Sequence, residues 1–168
     1  MILGMSTPTF TIVHVIISLL GIASGAVVLY GMVTERNFAG VTAVFLATTV
    51  LTSVTGFFFP SEHILPSHIV GGISLIVLTV AILARYGYHL LGSWRWIYVT
   101  SAVVALYLNV FVAVAQAFQK VPFLAALAPT QSEPPFVAAQ LLAAFVVAGV
   151  FAVRSFHPPI HSQQLSPA

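Results

Sequence analysis

"PTFTIVHVIISLLGIASGAVVLYGMVT", Pro8 to Thr34, contains no Asp, Glu, Lys or Arg. At about 1.5 Å of rise per residue, a helix over this stretch would be roughly 40 Å long, more than the roughly 30 Å of a bilayer's hydrocarbon core. Its apolar residues run on without alternation, so the in–out pattern of a transmembrane β-strand is absent. The stretch is a membrane-spanning helix, and it sets the reading of the whole chain.

The rest of the 168 residues repeats this composition: 60% are hydrophobic and 5% are charged. A water-facing domain carries roughly 25% charged residues, so this chain has lipid as its solvent. Five spans are expected: about Pro8–Thr34, Phe38–Phe59, Pro66–Tyr88, Trp94–Phe118 and Pro134–Phe156. The fold class is therefore all-α, a five-helix transmembrane bundle over residues 1–156 with a loose tail over 157–168. In one alternative the last stretch lies flat on the membrane. No internal repeat is visible. No cleavable leader is recognisable, so the first span is expected to stay in the membrane.

Five basic and three acidic residues leave a net charge of +2. They are too few and too scattered for a nucleic-acid surface. The absence of cysteine excludes disulfides, thiolate metal sites and thiol redox chemistry. Arg36, Arg85, Arg95 and Arg154 fall on one side of the predicted spans and Lys120 on the other. The positive-inside rule then puts the N-terminus in the periplasm and the C-terminus in the cytoplasm of a bacterial inner membrane. Tyr86, Tyr88, Trp94, Trp96 and Tyr98 are expected to form an aromatic belt on the inner side. The connection Gln119–Glu133 is apolar in its middle and is expected to lie on the bundle as a short lid.

The polar residues are unevenly placed. "TGFFFPSEHILPSHIVGG", Thr55 to Gly72, puts Glu62, His63 and His68 in or beside one short outer connection, and His14 lies less than two turns into the first span. Ionisable groups at membrane depth are costly and default to function. His14, Ser18, Gly21 and Gly25 share one helical face, as do His68, Gly71, Gly72 and Leu75. Each histidine thus stands over small residues that let a helix or a flat cofactor approach. Gly56, Thr52 and Thr55 add small and hydroxyl positions at the same end. Two imidazoles from different helices at one depth are how a b-type haem is held, so His14 and His68 are the expected cofactor-binding pair. His14, His63 and His68 with Glu62 also suit zinc or copper. On the fourth span Asn109, Ala113, Gln116 and Lys120 form a polar stripe, which Gln140 on the fifth extends as a possible polar path.

Each feature has a plainer explanation. His14 also reads as an interfacial imidazole, His63 as a loop residue and His68 as a polar helix terminus. Gly21 and Gly25 also read as ordinary helix packing, and the amide stripe as glue between helices. His89 is separated from His14 and His68 by a whole span and reads as interfacial, with His157 and His161 in the tail. In "APTQSEPPF" Ser132 is expected to cap the last helix, with Glu133 at the positive end of its dipole and Pro134 in its first turn.

"TGFFFP", "LPSHIVG" and "APTQSEPPF" resemble a family of small uncharacterised integral membrane proteins of proteobacteria. A histidine early in the first span, Thr55-Gly56 closing the second and His68 opening the third are similar to a second family of small bacterial membrane proteins with a suspected haem or redox role. A redox or metal-binding protein with this outer-leaflet histidine site is expected to exchange electrons with quinol or a periplasmic carrier, or to hold a metal. Alternatives from other classes are a noncatalytic subunit of a larger membrane complex, and a small transporter or channel using Asn109, Gln116 and Lys120, which would need to form a homo-oligomer to make a pore.

Overall fold

The computed structural model describes residues 1–60 and 66–156, with 146–156 as backbone. Glu62, His63 and the tail with His157 and His161 lie outside the described residues. Six α-helices follow in order: α1 Thr7–Thr34, α2 Ala39–Gly56, α3 Pro66–Ile82, α4 Trp94–Lys120, α5 Pro122–Leu127 and α6 Pro134–Phe156. A π-helical turn, Leu83–Gly87, extends α3. The protein is an all-α polytopic bundle. Among the described residues four helices, with α3 counted through its π turn, are long and apolar enough to cross a bilayer. The backbone of α6 runs for 23 residues.

The ends of the helices depart from expectation for local reasons. α1 starts one residue early because Ser6 caps it, its hydroxyl accepting from the Thr9 N–H at 3.3 Å. α2 stops at Gly56 instead of Phe59. The N–H groups of Phe57 and Phe58 close short turns onto Val54 and Thr55 at 3.1 and 3.2 Å. Pro60 lacks an N–H and disfavours helix in the residue before it, so the chain leaves the helix axis here. α3 ends at Ile82, and the π turn then projects Arg85 toward α4, over the Tyr98 ring at 5.3 Å. His89, exposed in the turn that follows, has φ +51°.

α4 is the central helix. It packs against α1, α2, α3, α5 and α6. Of its most apolar window 44% is buried, against 22%, 28% and 22% for the other three spans. Ala102 and Ala105 on its inner face let neighbours approach closely. The other helices expose Ile12, Ile16, Leu19, Ile69, Ile76 and Phe145. In lipid such a surface has no hydrophobic penalty, so these residues mark the bilayer-facing side. Tyr88 and Trp94 stack at 3.7 Å in the α3–α4 turn, and Tyr86 and Trp96 are exposed beside them. Tyr98 was expected in the same belt but is buried in the core, because its position on α4 faces Arg85 and α2 instead of lipid.

The connection after α4 carries the six-residue α5, which packs on α4. Ser132 does not cap α6 as expected: its hydroxyl pairs with that of Thr130. The Glu133 carboxylate accepts from the Thr130 N–H and hydroxyl at 3.1 and 2.9 Å and from the Ser132 N–H at 3.1 Å. Desolvation alone would raise the Glu133 carboxyl, but these donors outweigh it and hold the group below its ordinary value. A folded-state value below the unfolded one means the contribution is present above the ordinary carboxylate range and is lost as pH falls through the lowered value. Acidification is therefore expected to loosen the α5–α6 connection before the bundle melts. Faster amide exchange at Thr130 and Ser132 in acid, after correction for intrinsic rates, checks this; Glu133→Gln should remove the dependence.

Candidate functional site

His14 is half-buried between α1 and the end of α2. Its Nδ1 lies 2.7 Å from the Thr55 hydroxyl oxygen. The single Thr55 hydroxyl hydrogen is directed to the Leu51 carbonyl at 2.6 Å, as helical threonines commonly do. The Thr55 oxygen is then the acceptor and His14 Nδ1 the donor. The imidazole is thereby held as the Nδ1–H tautomer, with its lone pair on Nε2. The Phe59 ring meets the imidazole edge-on at 5.2 Å and Phe10 meets Phe59 at 5.2 Å. The early unwinding of α2 makes this aromatic wall, since a straight helix to Phe59 would carry that ring elsewhere.

Below His14 the polar groups continue toward the middle of the bundle. Ser18 donates to the Thr52 hydroxyl at a long 3.4 Å. One turn further, a Cβ on Gly21 would stand 3.0 Å from Asn109 Nδ2 and 3.2 Å from the hydroxyl oxygens of both Thr48 and Thr49. The Thr48 and Thr49 hydroxyls donate to Val44 and Phe45 carbonyls at 2.7 Å each, so their oxygens keep accepting lone pairs. Asn109 is 7% exposed, and its Nδ2 has no hydrogen-bond partner among the described residues. At the next turn the junction becomes apolar. A Cβ on Gly25 would meet Leu106 at 2.6 Å and the Phe45 ring at 2.9 Å. A column of polar groups thus descends between α1, α2 and α4 and ends on Phe45 and Leu106.

His68, the other expected ligand among the described residues, contacts a different ring. The His68 ring stacks on Phe57 at 5.6 Å and 18°. Thr55 and Phe57, which hold the two histidines, are two residues apart and so about 200° apart around a helix. His14 and His68 are therefore engaged on different sides of the end of α2. The proposed three-ligand centre of His14, His63 and His68 with Glu62 includes two residues outside the described ones. Among the described residues no group of three His, Cys, Asp or Glu could hold a metal ion.

The amide stripe separates as well. Asn109 faces α1 and α2, Gln116 is half-buried and Lys120 is exposed. Gln140, 9% exposed, donates through Nε2 to the Phe111 carbonyl at 3.2 Å and so ties α6 to α4, while its Oε1 has no hydrogen-bond partner among the described residues. Comparison with protein-family models, with curated proteins and with solved structures returns no match.

Sequence reasoning found His14, Ser18, Gly21 and Asn109 but passed over Thr42, Thr48 and Thr49. A signal was present. In "AGVTAVFLATTVLTSVTG", Thr42, Thr49, Thr52 and Thr55 recur at helical spacing with Phe45 between them. Threonine in a membrane helix usually satisfies itself on its own backbone, which hid the pattern.

Proposed function

We propose that this chain moves protons along the polar column between α1, α2 and α4, with His14 as the group that takes them from one membrane face. The observation that carries this reading is the Asn109 amide, buried and unpaired at the foot of a run of hydroxyls that starts at His14. A buried unpaired N–H costs about 1–3 kcal/mol, and an amide serving only as glue would spend its hydrogens on a neighbouring helix. Water entering from the His14 end satisfies the amide and links it to the Thr48 and Thr49 oxygens. A proton taken at His14 Nε2 is matched by release of the Nδ1 proton to water admitted beside the Thr55 oxygen, and that water passes a proton on by O–H exchange with the next water in the column, while the Thr55 hydroxyl keeps its own proton on the Leu51 carbonyl. The ring regains its tautomer by exchange with water. Only N–H and O–H bonds form and break, and no electrons are transferred.

A second reading keeps the same atom. With Nδ1 pinned by Thr55, Nε2 is presented as ligating histidines are when an outer partner orients them. It would then ligate a b-type haem or a zinc or copper ion, for electron exchange with quinol or a periplasmic carrier.

Purified protein in vesicles loaded with a pH-sensitive dye separates these readings. Proton leak above that of protein-free vesicles, falling about tenfold in His14→Ala, supports the first. A Soret band or stoichiometric metal, lost in His14→Ala, supports the second. Tight vesicles with colourless, metal-free protein would leave the role of a subunit in a larger membrane complex.

We place the His14 end in the periplasm and the C-terminus in the cytoplasm of a bacterial inner membrane, on the arginine bias. A reporter fused after Ala168 is expected to be active only in the cytoplasm, and periplasmic activity would reverse the direction of uptake.

A further inference from the structure

We infer that Phe45 is a gate, and that Thr42, Tyr98 and Arg85 form a second polar half-path that reaches it from the opposite membrane face. This rests on the proton-transfer reading and adds to it the residues on the far side and the point that closes the route. On α2, Thr42, Phe45, Thr49 and Thr52 follow at offsets of three, four and three, so they line one face. The hydroxyl face is interrupted only at Phe45. Thr42 and Thr49 are seven residues apart, a gap of about 10 Å along the helix.

Phe45 is 1% exposed and fills that gap against Gly25 and Leu106. On its far side the buried Tyr98 hydroxyl has no well-aligned hydrogen bond. The Thr42 hydroxyl and the Arg85 guanidinium face it. The Thr42 hydroxyl donates to the Phe38 carbonyl at 3.0 Å, which leaves its oxygen accepting. Arg85 is reached from the surface through the exposed Asn37, whose Oδ1 accepts from Arg85 at 3.3 Å. The π turn is what turns Arg85 inward to this position.

Two buried donors without a well-aligned hydrogen bond thus flank Phe45 along the bundle, Asn109 beside Thr48 and Thr49 and Tyr98 beside Thr42 and Arg85. A ring rotation or a small displacement of Phe45 joins the two halves. With the ring in place neither half crosses the membrane, so the bilayer stays sealed. The arrangement conducts protons on water and excludes hydrated ions, because a gap opened by one side chain is about one water wide.

The test uses full-length protein in dye-loaded vesicles. Phe45→Ala is expected to raise proton flux at least tenfold over wild type. Adding Tyr98→Phe, or separately Asn109→Leu, should return the flux to near the wild-type level. If Phe45→Ala raises flux but Tyr98→Phe leaves it high, the second half-path is wrong and the His14-side reading stands. If Phe45→Ala leaves flux unchanged while Asn109→Leu lowers it in otherwise wild-type protein, the gate is wrong.

Wild type and Phe45→Ala both as tight as empty vesicles would end the underlying reading itself. Phe45→Leu, a smaller change, replaces Phe45→Ala should the latter fail to fold.

Discussion

Gly25→Ala is expected to lower the melting temperature of the detergent-solubilised protein by about 5 °C, and Gly25→Val by more. An added Cβ at this position would stand 2.6 Å from Leu106 and 2.9 Å from the Phe45 ring, and both side chains are buried. Overpacking of this kind costs typically about 1–3 kcal/mol, and a chain of this size shifts by roughly 2–4 °C for each kcal/mol. Gly72→Ala is the control. Nothing lies within 4 Å of its added Cβ, so the higher helix propensity of alanine should leave stability equal or raise it by up to about 1 kcal/mol. Thermal unfolding of the two variants side by side decides the matter. Equal melting temperatures would mean that α1 does not approach α2 and α4 as closely as described.

Asn109→Leu is expected to reduce proton flux at least tenfold without loss of stability. Leucine has similar volume and removes a buried donor that has no hydrogen-bond partner, so the desolvation cost of that donor disappears. If Asn109 instead served as glue between helices, the same change would cost about 1–2 kcal/mol and leave flux untouched. The first outcome lowers flux and keeps stability and the second lowers stability and keeps flux, so flux and melting temperature on one preparation distinguish them. Gln140→Leu provides the contrast. Its Nε2 is bonded to Phe111 across the α6–α4 contact, so stability should fall and flux should hold.

The helices themselves were legible because each span must satisfy its own backbone in lipid and must therefore be long, continuous and apolar. Pro66, Trp94 and Pro134 start their helices where the residue pattern put them. The ends were less legible. The second span was expected to run to Phe59, yet the helix stops at Gly56 and Phe59 folds back on His14. That turn is stabilised by contacts between Phe10, Phe59 and His14, which no window along the chain displays.

The histidines show the same division. Composition and the 3.6-residue period were enough to put His14 above Ser18, Gly21 and Gly25, because a helical face follows from spacing alone. Whether a neighbouring helix presses on that face depends on packing across the bundle. Gly25 is closed over by Phe45 and Leu106, whereas Gly72, on the face below His68, meets nothing within 4 Å. Likewise Asn109 and Gln140 are both amides in apolar helices. One bonds a carbonyl of the next helix and the other faces two threonine oxygens across a glycine. Periodicity along one helix determined which residues share a side. Only the meeting of α1, α2 and α4 decided which sides touch, because side-chain contact depends on the rotation and separation of helices joined far apart in the chain.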